Sequence, residues 1–153
     1  MKYRNLISFA IIFIAAVISI GAQTVSGTLS EEIVSRGSTV KGTIVLTIPE
    51  GLHVNSNKPE SEYAIPTTIR ISGVGLAPAA IEYPAGINRK FQFSESELNV
   101  YEGTVTIPFS AAVAKDFRGE TLSIRAVVRY QACTDEICYP PKNKEVTITE
   151  AVK

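Results

Sequence analysis

Apolar and polar positions alternate in five short stretches of the chain, and a two-residue period marks half-buried strands. In residues 43–48 Ile44, Leu46 and Ile48 alternate with polar or smaller residues. In 67–72 Ile69 and Ile71 do the same, as do Val105, Ile107 and Phe109 in 104–109. The longest stretch is 122–130, where Leu122, Ile124, Ala126, Val128 and Tyr130 share one face and Ser123, Arg125 and Arg129 take the other. Residues 145–149, with Val146 and Ile148, predict a last strand. Turn formers punctuate these runs at Pro49-Glu50-Gly51, Gly73-Val74-Gly75, Pro84-Ala85-Gly86 and Tyr101-Glu102-Gly103. Only 110–117, with Ser110 as a cap, offers a helix, of one or two turns. Several short strands, frequent turns and no long amphipathic helix predict an all-β fold, a single antiparallel β-sandwich.

The start of the chain follows a different pattern. Lys2 and Arg4 precede an uncharged apolar run over residues 6–20, and small residues follow at Ser19, Gly21 and Ala22. That run is about as long as a signal-peptide core becomes and short for a bilayer span. Residues 1–22 are therefore expected to be a signal peptide, or an uncleaved anchor, with 23–153 exported as one domain. Removing the leader leaves about 130 residues, the size of one domain with its own core. Fifteen basic residues balance fifteen acidic ones, so the charge gives no reason to expect nucleic acid as a partner.

The candidate chemistry is a cysteine pair, Cys133 and Cys138, which encloses Thr134-Asp135-Glu136-Ile137 just beyond the longest strand. Two cysteines in an exported protein commonly form a structural disulfide. A loop this small, however, contributes only about 2 kcal/mol in the chain-entropy model, against about 4.7 for a 100-residue loop. Pro140-Pro141 then blocks regular pairing before the last strand, so the pair is expected at an exposed hairpin tip. If the alternation of the long strand continues, Cys133 falls opposite Tyr130 and the core. Arg129, Lys142 and Lys144 favour a thiolate there, and Asp135 and Glu136 oppose it. Spacing and composition leave a redox-active pair and a structural bond both open. No metal site is expected, since zinc wants four Cys or His ligands and the chain has two Cys and one His. That His53 reads as an ordinary strand-edge residue in a polar loop; tuning a cysteine would require its loop to fold against the hairpin tip.

The run Val128-Arg129-Tyr130-Gln131-Ala132-Cys133-Thr134-Asp135-Glu136-Ile137-Cys138-Tyr139-Pro140-Pro141 resembles the active-site hairpin of the N-terminal domain of the thiol:disulfide interchange protein DsbD family. His53-Val54-Asn55-Ser56-Asn57-Lys58-Pro59 and Tyr63-Ala64-Ile65-Pro66-Thr67 are similar to segments of many members. The resemblance implies an immunoglobulin-like sandwich in the periplasm that cycles between dithiol and disulfide, a protein-disulfide oxidoreductase module without a cofactor. It implies Cys138 as the sulfur of the intermolecular mixed disulfide and Cys133 as the partner that resolves it. Thioredoxin-like proteins or a membrane electron carrier would be donors; disulfide isomerases and cytochrome c maturation factors would be clients. The family's aromatic cap loop maps to the segment before Tyr101, with Phe93, or failing that Phe91, as the cap; the competing reading makes both plain strand core. Tyr130 and Tyr139 flank the cysteines, and Tyr130 is assigned to the core.

This sequence departs from the family pattern in three ways. Four residues separate the cysteines where some members have five. Arg89 and Lys90 stand near the cap where those members carry acidic residues. The chain ends at Lys153, without the membrane and thioredoxin-like domains of full-length members, so a stand-alone exported protein that finds its reductant in another chain is expected. The rival from another class is a non-catalytic exported binding sandwich whose short disulfide only shapes a recognition loop.

Overall fold

The computed structural model describes residues 22–153. All of the expected leader but Ala22 lies outside the described residues. Twelve strands follow in order: β1 (Thr24–Leu29), β2 (Ile33–Val34), β3 (Thr39–Thr47), β4 (His53–Asn55), β5 (Thr68–Ser72), β6 (Ala80–Ile81), β7 (Ile87–Arg89), β8 (Leu98–Tyr101), β9 (Thr104–Ala112), β10 (Thr121–Tyr130), β11 (Ala132–Cys133) and β12 (Lys142–Val152). They form three four-stranded sheets, ordered β1-β3-β9-β6, β2-β12-β10-β5 and β11-β4-β8-β7. Every pairing is antiparallel except β12 with β2.

The first two sheets make the immunoglobulin-like sandwich. Alternation aims Val40, Ile44 and Leu46 of β3, Val105, Ile107 and Phe109 of β9, and Leu122, Ile124, Ala126, Val128 and Tyr130 of β10 into one shared core. Gly42 keeps that face of β3 open opposite Phe109: a Cβ there would lie 2.5 Å from the Phe109 ring. The small third sheet grows from the end of the sandwich where β3 and β10 finish and β9 begins. Its strands are short because the chain only passes through it between the long strands.

The sequence pattern correctly located five strands, but the helix expected over 110–117 does not form. β9 runs on through Ala112, and Ala111 and Val113 keep the two-residue period on the core face. A turn follows, in which the Phe117 N–H donates to the Ala114 carbonyl at 3.2 Å. Core burial at alternate residues outweighs helix propensity here.

Candidate functional site

Five polar residues are buried among the described residues, and four of them, His53, Asn55, Ser56 and Thr67, belong to β4 or the segment after it. β4 is buried on both faces. Val54 joins the main core, while His53 pairs with Cys133 and Asn55 reaches Gln131 at the base of the hairpin. The Thr67 hydroxyl donates to the Asn55 carbonyl at 2.6 Å, and Asn55 Nδ2 donates to the Ile65 carbonyl at 3.0 Å and to Gln131 Oε1 at 3.2 Å.

The hairpin is an excursion from the second sheet. Tyr130 still pairs with Lys142 across β10 and β12, so residues 131–141 leave the ladder and rejoin it at one point. Gln131 clamps the base: besides accepting from Asn55, its Nε2 donates to the Tyr139 carbonyl at 3.2 Å. Ala132 turns into the main core, and Cys133 lies on the opposite face, fully buried. At the tip, the Thr134 N–H donates to the Ile137 carbonyl at 2.8 Å, and Thr134 Oγ1 accepts from the Glu136 and Ile137 N–H groups at 3.2 and 3.1 Å. The return strand carries Cys138 back opposite Cys133, and the two form a disulfide with Cα atoms 4.0 Å apart.

Cys133 also pairs with His53 across β11 and β4. Directly opposed residues of an antiparallel pair point to the same side, so Cys138, Cys133 and His53 stand in a row on one face. Aromatic rings stack at the His53 end of that row. Phe91 stacks on the His53 imidazole with centroids 4.1 Å apart, and Phe93 stacks on Phe91 at 5.3 Å. Phe91 is buried in a satellite cluster with Leu98 and Val100, whereas Phe93 is 41% exposed. The two cysteines are thus unequal: Cys133 is fully buried and Cys138 is exposed.

Cys138 opens into a groove of about 710 Å³ whose walls include Phe93, Tyr63, Gln131 and Asn55, with Glu60, Glu62 and Glu95 among its lining residues. His53, only 2% exposed, holds Nε2 without a hydrogen-bond partner among the described residues. Burial, the largest influence, lowers its pKa below the ordinary histidine value; Asp135 partly offsets this and Arg89 reinforces it.

Residues 28–150 match the family model described as thiol:disulfide interchange protein DsbD, N-terminal. The chain belongs to this family. Among solved structures, the N-terminal periplasmic domain of ScsB from Proteus mirabilis superposes with a TM-score of 0.59 at 13% identity, over 82% of this chain and 45% of that one. The chain therefore spans less than half the length of that relative, and the likeness concerns the fold. The DsbD N-terminal domain of Neisseria meningitidis in the reduced form aligns with a TM-score of 0.46 at 21% identity, over 72% of this chain and 77% of that one. No curated sequence matches closely enough to count as a relative.

The site of this DsbD-family chain gathers Cys133, Cys138, Phe91 and Phe93, and it corrects several expectations. The tip is not exposed throughout: Cys133 faces away from Tyr130 as the alternation implied, yet it is fully buried. Phe91 and Phe93 are not strand residues; they lie between β7 and β8 in a segment fastened by a Lys90 Nζ hydrogen bond to the Glu95 carbonyl and by Ser94 Oγ donating to the Ser96 carbonyl at 2.7 Å. Acidic residues do line the groove, two of them from the segment after β4. Tyr130 is core, its hydroxyl 3.3 Å from Gln23 Oε1. Tyr139 faces a separate cavity of about 230 Å³ shared with Tyr130 and Ala132, on the side of the hairpin away from the groove. His53 is no polar-loop residue but a buried member of the row. A three-residue strand offers too few positions for its period to be read, so no local pattern marks this burial. Asn55 belongs to that same short strand, and Gln131 lies in the step between β10 and β11, so neither carries a periodic signal.

Proposed function

We propose that this chain is a periplasmic thiol–disulfide exchange module that passes reducing equivalents between proteins through Cys133 and Cys138. The observation that carries this reading is the inequality of the two cysteines, Cys133 buried and Cys138 exposed on a groove. A structural bond gains nothing from presenting one sulfur in a groove, whereas an exchange site needs one sulfur reachable by another protein and one held in reserve. A donor thiolate attacks Cys138 Sγ in line, forming a mixed disulfide and expelling Cys133 as thiolate. A second donor thiol then attacks its own sulfur of that bond, leaving the donor oxidised and the pair reduced. Run in reverse on a client, the Cys138 thiolate attacks a client disulfide and Cys133 resolves the adduct. Two electrons move as sulfur–sulfur bonds, so no cofactor enters.

In this reading residues 1–22 are the export leader and 23–153 the working domain. A thioredoxin-like protein or a membrane electron carrier is the donor, and disulfide isomerases or cytochrome c maturation factors are clients. Phe93 is the movable cap over the pair, with Phe91 beneath it. Equilibration against glutathione tests the assignment: the pair should poise between about −120 and −270 mV. A potential below about −300 mV favours a structural bond and a binding sandwich instead. Cys133→Ala should trap a thioredoxin-like partner at Cys138 as a stable adduct, and failure to form one with any such partner counts against exchange.

A further inference from the structure

The geometry points to His53 as the acid–base group that carries the proton of Cys133 during exchange. This rests on the exchange reading and adds a residue to its machinery. Register sets His53 directly across from Cys133, and opposed side chains of an antiparallel pair have Cβ atoms about 4.5–5.5 Å apart, within reach of an imidazole turned toward a sulfur. The ring is held in place by the Phe91 stack at 4.1 Å, and its Nε2 is buried with no partner among the described residues. Cys133 is fully buried, so water cannot readily take its proton, and a bare thiolate there is costly.

Resolution of an adduct then balances as follows. Neutral His53 accepts the proton of the Cys133 thiol, and the thiolate attacks Cys138 Sγ. The sulfur–sulfur bond to the client breaks, and the client's sulfur leaves with the electron pair. His53 returns the proton to that sulfur by way of solvent. Charged groups face the imidazole from each neighbouring element: Asp135 from the hairpin, Arg89 from β7, Glu102 after β8 and Glu50 from the preceding turn, all lining one recess with it. Of these groups, Asp135 raises the affinity of His53 for its proton, and Arg89, paired with Glu102 at 2.7 Å, lowers it.

The test uses the reduced protein and the aromatic disulfide of thionitrobenzoate. The first release of coloured thiol reports attack by Cys138, and the second reports resolution by Cys133. In His53→Gln the second phase should slow by about 100-fold, the lower end of what a positioned base contributes, while the first is unchanged. The wild-type second phase should rise with pH through an inflection below 6.5, which moves to the thiol's own region, near or above 8.5, in the variant. Asp135→Asn, an exposed change, should shift the wild-type inflection to lower pH. An unaltered second phase in His53→Gln overturns the proposal and leaves exchange standing. If that variant does not fold, an unmoved inflection in Asp135→Asn overturns it. A wild-type protein that shows no second phase removes the exchange reading itself.

Discussion

Replacing Phe91 by alanine removes the middle ring of the stack built on His53. The side chain is buried against Leu98 and Val100, and it holds His53 at 4.1 Å on one face and Phe93 at 5.3 Å on the other. Truncating a buried phenylalanine costs about 3–5 kcal/mol. Here the lower figure applies, because the half-exposed Phe93 can settle into part of the space. A loss of about 3 kcal/mol is roughly a hundredfold rise in the unfolded-to-folded ratio. Phe93→Ala, at an exposed position, should cost less than about 1 kcal/mol. Urea titration followed by circular dichroism measures both. The chain has a single histidine, so one imidazole resonance in an NMR titration reports on His53 alone. With the ring gone, water reaches the imidazole and its pKa should climb back toward 6.5. An unchanged urea midpoint, together with a His53 resonance that titrates as in the wild type, refutes the idea that Phe91 seals the site.

Three further outcomes are expected. His53 binds its proton more weakly folded than unfolded, so the unfolded state carries more protons in the window between the lowered folded value and 6.5. Stability should therefore fall on acidification from about pH 6.5 until the folded imidazole is itself protonated; the difference between wild type and His53→Gln in thermal melts isolates that slope. Gly42→Ala should destabilise by about 1–3 kcal/mol, since the new Cβ meets the Phe109 ring at 2.5 Å and the Thr28 carbonyl oxygen at 2.7 Å, and a melt unaltered by the change rules out the clash. Glu145→Ala should cost at most about 1 kcal/mol despite its contacts with Arg125 at 2.5 and 3.0 Å, because both side chains are more than half exposed; a urea midpoint shifted further shows the pair matters more than its exposure implies.

The long strands were legible because one face of each is buried over enough residues for a two-residue period to show. β3, β9 and β10 are read directly from Ile44, Leu46, Val105, Ile107, Leu122 and Ile124. The strands of the third sheet are two to four residues long, and β4 is buried on both faces, so no alternation could announce them. The cysteine pair was visible as a motif, whereas Phe91 and Phe93 entered only through the family resemblance. The side chains that surround the pair were not legible, because their placement depends on a long-range register, Cys133 opposite His53, that no local pattern encodes. The helix over 110–117 failed for the converse reason. A cap and a short apolar run satisfy local rules, yet the core-facing alternation of β9 persists through Val113.

The point at which residues 131–141 depart from and return to the second sheet has a consequence for how such sites diversify. With Tyr130 fixed opposite Lys142, residues can be added to or removed from the tip without shifting any register in the sandwich. The entropic charge for lengthening a closed segment is slight, about 0.6 kcal/mol per doubling. A spacing of four residues between the sulfurs, or of five, is then a variation the scaffold absorbs, and selection can reshape what the tip recognises while the body beneath it stays constant.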